Sequence, residues 1–321
     1  MRRPMRLRQS RLMRELVADS RFARGQLIQP LFAVEGIEAD QPITGLGETA
    51  RQSIDGTLNR VASDLEAGVT QFLLFPVPGS KGESGFRAEF AAKAISEIKK
   101  RFGEDLNLWV DTCLCSLTAH GHCGVFHGKG KFEGELDLEA TRAELASLAK
   151  IYAAAGADGV SPSDMMDGRV AAIRASLDAG GFQNTPIMSY STKFSSHFYG
   201  PFREAADSAP KFGDRKAYQI DVRNRNDAIQ SSIRCAEEGA DLLMVKPGMT
   251  SIDLILPIIQ ATGKSVGAYQ VSGEYASLTL LAEKGLISFD DALLETWAVF
   301  KRAGAQYLIT YGARHALRLG L

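Results

Sequence analysis

The 321 residues are 45% hydrophobic and 23% charged, which is ordinary globular usage, and no apolar run approaches the roughly 20 residues of a membrane helix, so no membrane association is expected. Lys and Arg number 37 against 38 Asp and Glu, and this formal charge of −1 excludes a uniformly basic nucleic-acid binder. The balance is unevenly divided: residues 1–24 hold Arg2, Arg3, Arg6, Arg8, Arg11, Arg14, Arg21 and Arg24 against Glu15 and Asp19, a net +6, leaving −7 for the remainder.

The chain therefore reads as a basic arm, 1–24, on an acidic body, 25–321. The arm runs without a cleavage-like break into Leu27, Ile28, Leu31 and Phe32, and no apolar stretch of signal-peptide length follows it, so the expected location is the cytoplasm. One reading of the arm is a solvated, frayed terminus. The other is a docking arm for another subunit's acidic body, using Leu7, Leu12, Met13, Leu16 and Val17 as its apolar stripe.

Four times a helix-like segment ends in a small residue, glycine, a small residue and a polar residue: at Ala67-Gly68-Val69-Thr70, Ala155-Gly156-Ala157-Asp158, Glu238-Gly239-Ala240-Asp241 and Ala303-Gly304-Ala305-Gln306. Glycine there stops the helix in a left-handed turn, and the chain reverses into a short apolar run typical of a buried parallel strand. Counting the runs between them, eight strands are predicted: 28–34, 72–75, 106–111, 159–161, 186–189, 242–246, 265–270 and 307–310. Helices are predicted over 54–66, 86–101, 138–154, 170–178, 227–237, 252–261, 276–283 and 290–302. Eight strands alternating with eight helices, undivided by any linker, favour a single (β/α)8 TIM barrel. Two connections, 112–136 and 190–225, exceed ordinary turns and leave strand C-terminal ends, where barrel active sites lie.

The first of these loops gathers three of the four cysteines, Cys113, Cys115 and Cys123, within eleven residues. In a reducing compartment such a cluster suits a soft, tetrahedral Zn²⁺ rather than disulfides. Three thiolates leave a position open for water or substrate, unless His120, His122 or His127 closes the shell and makes the site structural. Cys235, isolated on a helix, reads as a small buried hydrophobe.

Lys246 ends the apolar run of the sixth strand. Burial disfavours its charged form, as a Schiff-base nucleophile requires; a lysine paired with a carboxylate is the plainer alternative. Lys193 follows the neighbouring fifth strand, and two amines close together depress each other further. Ser163 and Asp164 after strand four, Tyr269 and Ser272 closing strand seven, and Tyr311 after strand eight add polar groups to the same face. The second long loop supplies Arg203, Arg215, Lys216 and Gln219, with Gly200, Pro201 and Gly213 as hinges; such arginines suit a carboxylate-bearing substrate or are simply solvated. The spacing of Gly79-Ser80-Lys81-Gly82 is not that of a phosphate-binding loop.

Taken together, residues 111–123 (DTCLCSLTAHGHC), 161–170 (SPSDMMDGRV), 188–194 (MSYSTKF), 198–203 (FYGPFR), 244–248 (MVKPG) and 269–274 (YQVSGE) closely resemble the porphobilinogen synthase (5-aminolaevulinate dehydratase) family, over nearly the whole chain and the arm. The resemblance implies condensation of two 5-aminolaevulinate molecules to porphobilinogen with loss of two waters, an early step of tetrapyrrole (haem) synthesis. It implies Lys246 as the Schiff-base lysine for the first-bound substrate, which becomes the propionate side, and Lys193 as the second active-site lysine. Ser272 and Tyr311 would hold the first carboxylate, Arg203, Arg215 and Gln219 the second, and Asp111, Ser163, Asp164, Tyr190 and Tyr269 would line the site. Cys113, Cys115 and Cys123 would be the ligands of the zinc-using branch. The family assembles as octamers through the arm. Many bacterial members bind an activating Mg²⁺ through a glutamate fifteen residues before the Schiff-base lysine; Ser231 stands there, which argues against an allosteric Mg²⁺. Two competing readings are a metal-independent Schiff-base aldolase, which leaves the cysteines and second lysine unexplained, and a zinc-stabilised scaffold whose arm binds nucleic acid.

Overall fold

All eight apolar runs form parallel strands of one nearly closed barrel in the computed structural model of the chain, which describes residues 4–128 and 134–321. Arg2 and Arg3 of the arm, and 129–133 of the first long loop, lie outside the described residues. The strands are β1 (Leu27–Val34), β2 (Gln71–Val77), β3 (Asn107–Thr112), β4 (Gly159–Pro162), β5 (Met188–Lys193), β6 (Leu242–Lys246), β7 (Ser265–Tyr269) and β8 (Leu308–Ile309). They pair in the order β4-β3-β2-β1-β8-β7-β6-β5, and a bridge between Val160 and Ile187 joins the remaining seam. Every residue of β1 and β5 is buried, as expected of strands covered on both faces.

The helices are α1 (Ile54–Glu66), α2 (Glu89–Phe102), α3 (Leu138–Ala154), α4 (Arg169–Ala179), α5 (Arg225–Glu237), α6 (Ile252–Thr262), α7 (Ser272–Glu283) and α8 (Phe289–Arg302). Alternation is broken in two places. A further short helix, Gly200–Ala205, precedes α5 in the connection from β5; two helices precede β8, and only a short 3-10 turn, Ala313–His315, follows it.

Gly68, Gly156, Gly239 and Gly304 all take positive φ, between 82° and 104°, so each recurring phrase is a helix-ending left-handed turn. In two of them the polar residue has a second task. Asp158 accepts the N–H of Leu108 (2.7 Å) and Asp241 that of Ile187 (2.8 Å), so each carboxylate caps the start of the neighbouring strand.

One difference matters for the site. The fifth strand continues past the expected 189 to Lys193, which is therefore the last residue of β5 rather than part of the loop after it. Polar Ser191 and Thr192 disguise this stretch, but both are buried, with hydroxyls bonded to neighbouring elements.

Among the described residues of the arm only Phe22 is buried, with Lys301 Nζ 5.0 Å above its ring. The helix Arg11–Leu16, capped by Ser10, leaves Leu12, Leu16 and Val17 exposed.

Candidate active site

Strand ends bring the two lysines together at the barrel mouth, where Lys193 and Lys246 are register partners. Both are buried. Lys246 Nζ lies in an aromatic cage, 4.2 Å from the ring centre of Tyr269, 4.7 Å from Phe202, 4.9 Å from Tyr190 and 5.4 Å from Tyr199. Burial, then the Lys193 charge, pushes its amine well below the usual lysine range. Lys193 Nζ donates to the carbonyl of Ser163, the first residue beyond β4.

Around these amines stand most of the polar groups expected at the strand ends. Tyr269 and Tyr311 share a hydrogen bond, 3.1 Å between hydroxyl oxygens, while the buried Tyr190 hydroxyl has no protein partner. Asp111, near the end of β3, is pushed up to about 7 by burial and by the thiol of Cys115, against the pull of Lys193. Ser272 Oγ accepts the N–H of Phe202 (3.0 Å) and faces the carbonyl of Phe198 (3.4 Å), so it meets the short lid helix Gly200–Ala205.

Asp164 is fully buried beside Arg169, with Oδ2 3.3 Å from Nε, while Oδ1 accepts the N–H of Met166 (2.7 Å), and it is near enough to Lys193 to feel its charge. Arg169 also donates to the carbonyls of Met166 and Tyr190, bracing β4 against β5.

Cys113, Cys115 and Cys123 are all buried, and their sulfurs lie within 4.8 Å of one another. This is the one such group among the described residues, and none of the three histidines joins it. Both ring nitrogens of His122 are taken, Nδ1 by the Tyr218 hydroxyl and Nε2 by the Phe212 carbonyl, each at 2.9 Å. His120 Nδ1 accepts the N–H of His122, and His127 pairs with Asp137. Hydrogen bonds from the other two thiols, with help from Arg215, hold Cys123 well below the usual thiol range; hydrogen bonds to Cys115 and Cys123, then burial, push Cys113 well above it, while at Cys115 the lowering contact with Cys113 is outweighed by Cys123 and burial, which raise it. Three buried soft donors that cannot all ionise beside one another fit a divalent cation, and the cluster could hold one.

Residues 194–224 cover the mouth, tied at their base by the Phe194–Ile220 bridge. Arg203 Nε, Arg215 Nε and both polar side-chain atoms of Gln219 are buried there without a protein hydrogen-bond partner. The two guanidiniums are close enough that Arg215, after burial, lowers the pKa of Arg203. Unpartnered donors beside like charges form a receptor for an anion. Lys216, by contrast, is exposed and pairs with Asp214. Ser231 Oγ donates to the carbonyl of Ser191 (2.7 Å), and Cys235 is a buried hydrophobe as expected.

Sequence reasoning missed Tyr199, whose hydroxyl donates to the carbonyls of Phe194 and Lys246, and Tyr218, whose hydroxyl accepts the N–H of Cys123. It also missed Phe202 and Arg169 as side chains of the site. Tyr199, Phe202 and Tyr218 lie in the second long loop and Arg169 opens α4; the place of Tyr199 and Phe202 in FYGPFR and of Arg169 in SPSDMMDGRV was the available signal, and Tyr218 carried none.

A barrel that buries a pair of amines at the C-terminal ends of its strands has the build of a barrel enzyme with its active site on that face. Comparison with known proteins narrows this to one family. The model of the delta-aminolevulinic acid dehydratase family matches residues 1–319, and the chain belongs to that family. It is 41% identical to the delta-aminolevulinic acid dehydratase of Bacillus subtilis (strain 168) over 320 residues, 98% of this chain and 97% of the relative. The Synechocystis dehydratase is 40% identical over 98% of this chain and 97% of its own length. The crystal structure of the Toxoplasma gondii ME49 enzyme, delta-aminolevulinic acid dehydratase (porphobilinogen synthase) in complex with the reaction product porphobilinogen, superposes with a TM-score of 0.94 at 39% identity, covering 99% of this chain and 91% of that one.

Proposed function

We infer that this lyase condenses two molecules of 5-aminolaevulinate to porphobilinogen, releasing two waters, with Lys246 as the nucleophile. The observation that carries the residue assignment is the Lys193–Lys246 pair: two register-matched, buried amines, one pushed well below the usual lysine range by burial and by its neighbour's charge. The neutral Nζ of Lys246 attacks the keto carbon of the first substrate, and the carbinolamine loses water to give a Schiff base. Ser272 and Tyr311 are positioned to take that substrate's carboxylate. Arg203, Arg215 and Gln219 offer the unpartnered donors for the second, with Lys193 at hand for its keto or amino group. Asp111, poised near neutrality, can hold or move a proton beside the amines, while Ser163, Tyr190 and Tyr269 line the space around them.

Cys113, Cys115 and Cys123 would hold Zn²⁺, which when bound supplies a Lewis acid with a position left for water or the second substrate. With a serine hydroxyl engaged at 231 in place of a carboxylate, the reading includes no allosteric Mg²⁺. Residues 1–24 form an oligomerisation arm on the 25–321 barrel, in a cytoplasmic homo-octamer. The exposed Leu12, Leu16 and Val17 supply the apolar face, and the net +6 of the arm complements the −7 of the body. No described helix is long and apolar enough to cross a membrane. A metal-independent aldolase would leave the thiol cluster and the second lysine without a task. Neither it nor a nucleic-acid-binding scaffold accounts for the family match.

Formation of the pyrrole from 5-aminolaevulinate, read by its colour reaction, tests the activity. Borohydride reduction with substrate present tests the residue: the label is expected on Lys246, and turnover by enzyme that is never labelled there would remove the assignment.

A further inference from the structure

None of the roles above uses Glu274, the last residue of the YQVSGE segment. Its carboxylate is 6% exposed and divided between two elements. Oε2 accepts the N–H of Val271 (2.9 Å), the ordinary contact of a glutamate at the third position of its helix, α7. Oε1 does something non-local: it accepts the N–H groups of Met249 (2.8 Å) and Thr250 (3.3 Å), which follow β6.

The carboxylate continues the sheet where the sheet has ended. Gly248 N–H donates to the carbonyl of Tyr269 (2.7 Å), one step beyond the β6–β7 pairing, and there the two chains must diverge into their helices. They cross closely: a Cβ on Gly248 would lie 2.8 Å from the Tyr269 carbonyl oxygen and 2.7 Å from the Phe300 ring. Past this point Glu274 supplies the acceptors that the backbone no longer can. Burying a carboxylate is costly unless its oxygens are satisfied. Burial pushes this one up to about 7, even though the N–H groups of Val271, Met249, Thr250 and Gly248 all favour the ionised form.

The two ends so joined carry the reacting amine and an anchoring hydroxyl. Resting on the condensation reading above, we propose that Glu274 is a positioning residue that fixes Lys246 relative to Ser272, so that a keto acid held by its carboxylate at Ser272 presents its carbonyl carbon to the amine. Tolerance for error is small, since a misplacement of about 1 Å at a reacting pair can lower a rate by roughly 10²-fold.

The test is borohydride trapping on intact, Zn²⁺-supplied enzyme with 4-oxopentanoate, the substrate without its amino group, which isolates Schiff-base formation and carboxylate anchoring. In Glu274→Gln the amide nitrogen must face one set of backbone N–H groups, so one of the two ties is lost. The expected result is a trapping rate at least tenfold lower and a half-saturating concentration at least tenfold higher, with partial recovery in Glu274→Asp. Asp158→Ala, which removes the acceptor for Leu108 N–H at the opposite end of the barrel, should lower Tm while leaving both constants unchanged per folded molecule. Trapping of E274Q equal to that of the parent overturns the proposal. Failure of both Glu274 variants to fold also overturns it, by assigning the carboxylate to the fold alone. A parent enzyme that turns over substrate but cannot be trapped at Lys246 strikes the nucleophile assignment itself and takes this proposal with it.

Discussion

Lys193 and Lys246 face each other across neighbouring strands, the last residue of β5 paired in register with the last residue of β6. The consequence is electrostatic. Both amines are buried, and after burial it is the Lys193 charge that holds Lys246 down.

Removing that charge should therefore move the reaction along the pH axis. With Lys193→Met the Lys246 pKa rises, so the neutral fraction is lost at higher pH and the acid limb of the trapping-rate profile shifts upward. Turnover falls by about 10²-fold or more at neutral pH. An acid limb that stays in place in K193M would mean that the two amines are not coupled.

Metal dependence is the second expectation. Cys123→Ser removes one of three buried donors and should abolish stoichiometric Zn²⁺ binding, measured by elemental analysis, with a loss of activity of about 10²-fold or more. Chelation of the parent should do the same and be reversed by Zn²⁺. Full activity in demonstrably metal-free protein is the contrary result.

The lid donors should appear in KM. Arg203→Met or Gln219→Leu removes a group that lacks a protein partner, so neither substitution orphans a hydrogen bond within the protein. Each should raise KM by roughly 10-fold to 10²-fold, the worth of a charge-assisted or buried hydrogen bond. Steady-state kinetics with the trapping rate at Lys246 measured in parallel would separate the two substrate subsites. A KM unchanged in both variants would place the second carboxylate elsewhere.

The buried Asp164–Arg169 pair makes a prediction about stability rather than chemistry. Burial raises Asp164 to about 6 despite Arg169, so the folded protein takes up a proton between about pH 6 and 4 that the unfolded chain, with the ordinary value of 3.8, does not. This group therefore favours folding toward acid, and its contribution declines as pH rises through 4 to 6. Asp164→Asn should remove that slope, an effect of about 2–3 kcal/mol across the window, readable in denaturant midpoints. Arg169→Met leaves the acid unpaired and should destabilise by about 3–5 kcal/mol at pH 8. A parallel pH dependence in parent and D164N would show that the carboxyl does not titrate there.

Deleting residues 1–24 should give a smaller assembly by analytical ultracentrifugation, because Leu12, Leu16 and Val17 have no cover within their own chain. An octamer that survives the deletion would leave the arm without that role.

What could be read without coordinates was everything carried by local pattern. Glycine after a helix, followed by a short buried run, needs only the next few residues to declare itself, so the eight strands and the TIM barrel were legible, as was the cysteine cluster. The resemblance supplied the roles of residues far apart in the chain. Local pattern failed where partners are distant. His122 was an open candidate for the metal until Phe212 and Tyr218, some 90 residues later, took both ring nitrogens. Asp164 lies against Arg169 as well as within reach of the Lys193 charge, a pairing that no local pattern announces, and polar Ser191 and Thr192 hid the end of β5 because their hydroxyls are satisfied by other elements. Charge and periodicity along a chain determine which segments bury themselves. Which side chains then meet, and which amine loses its proton, depends on closing the barrel, because solvation and Coulomb energy act through space rather than along the sequence.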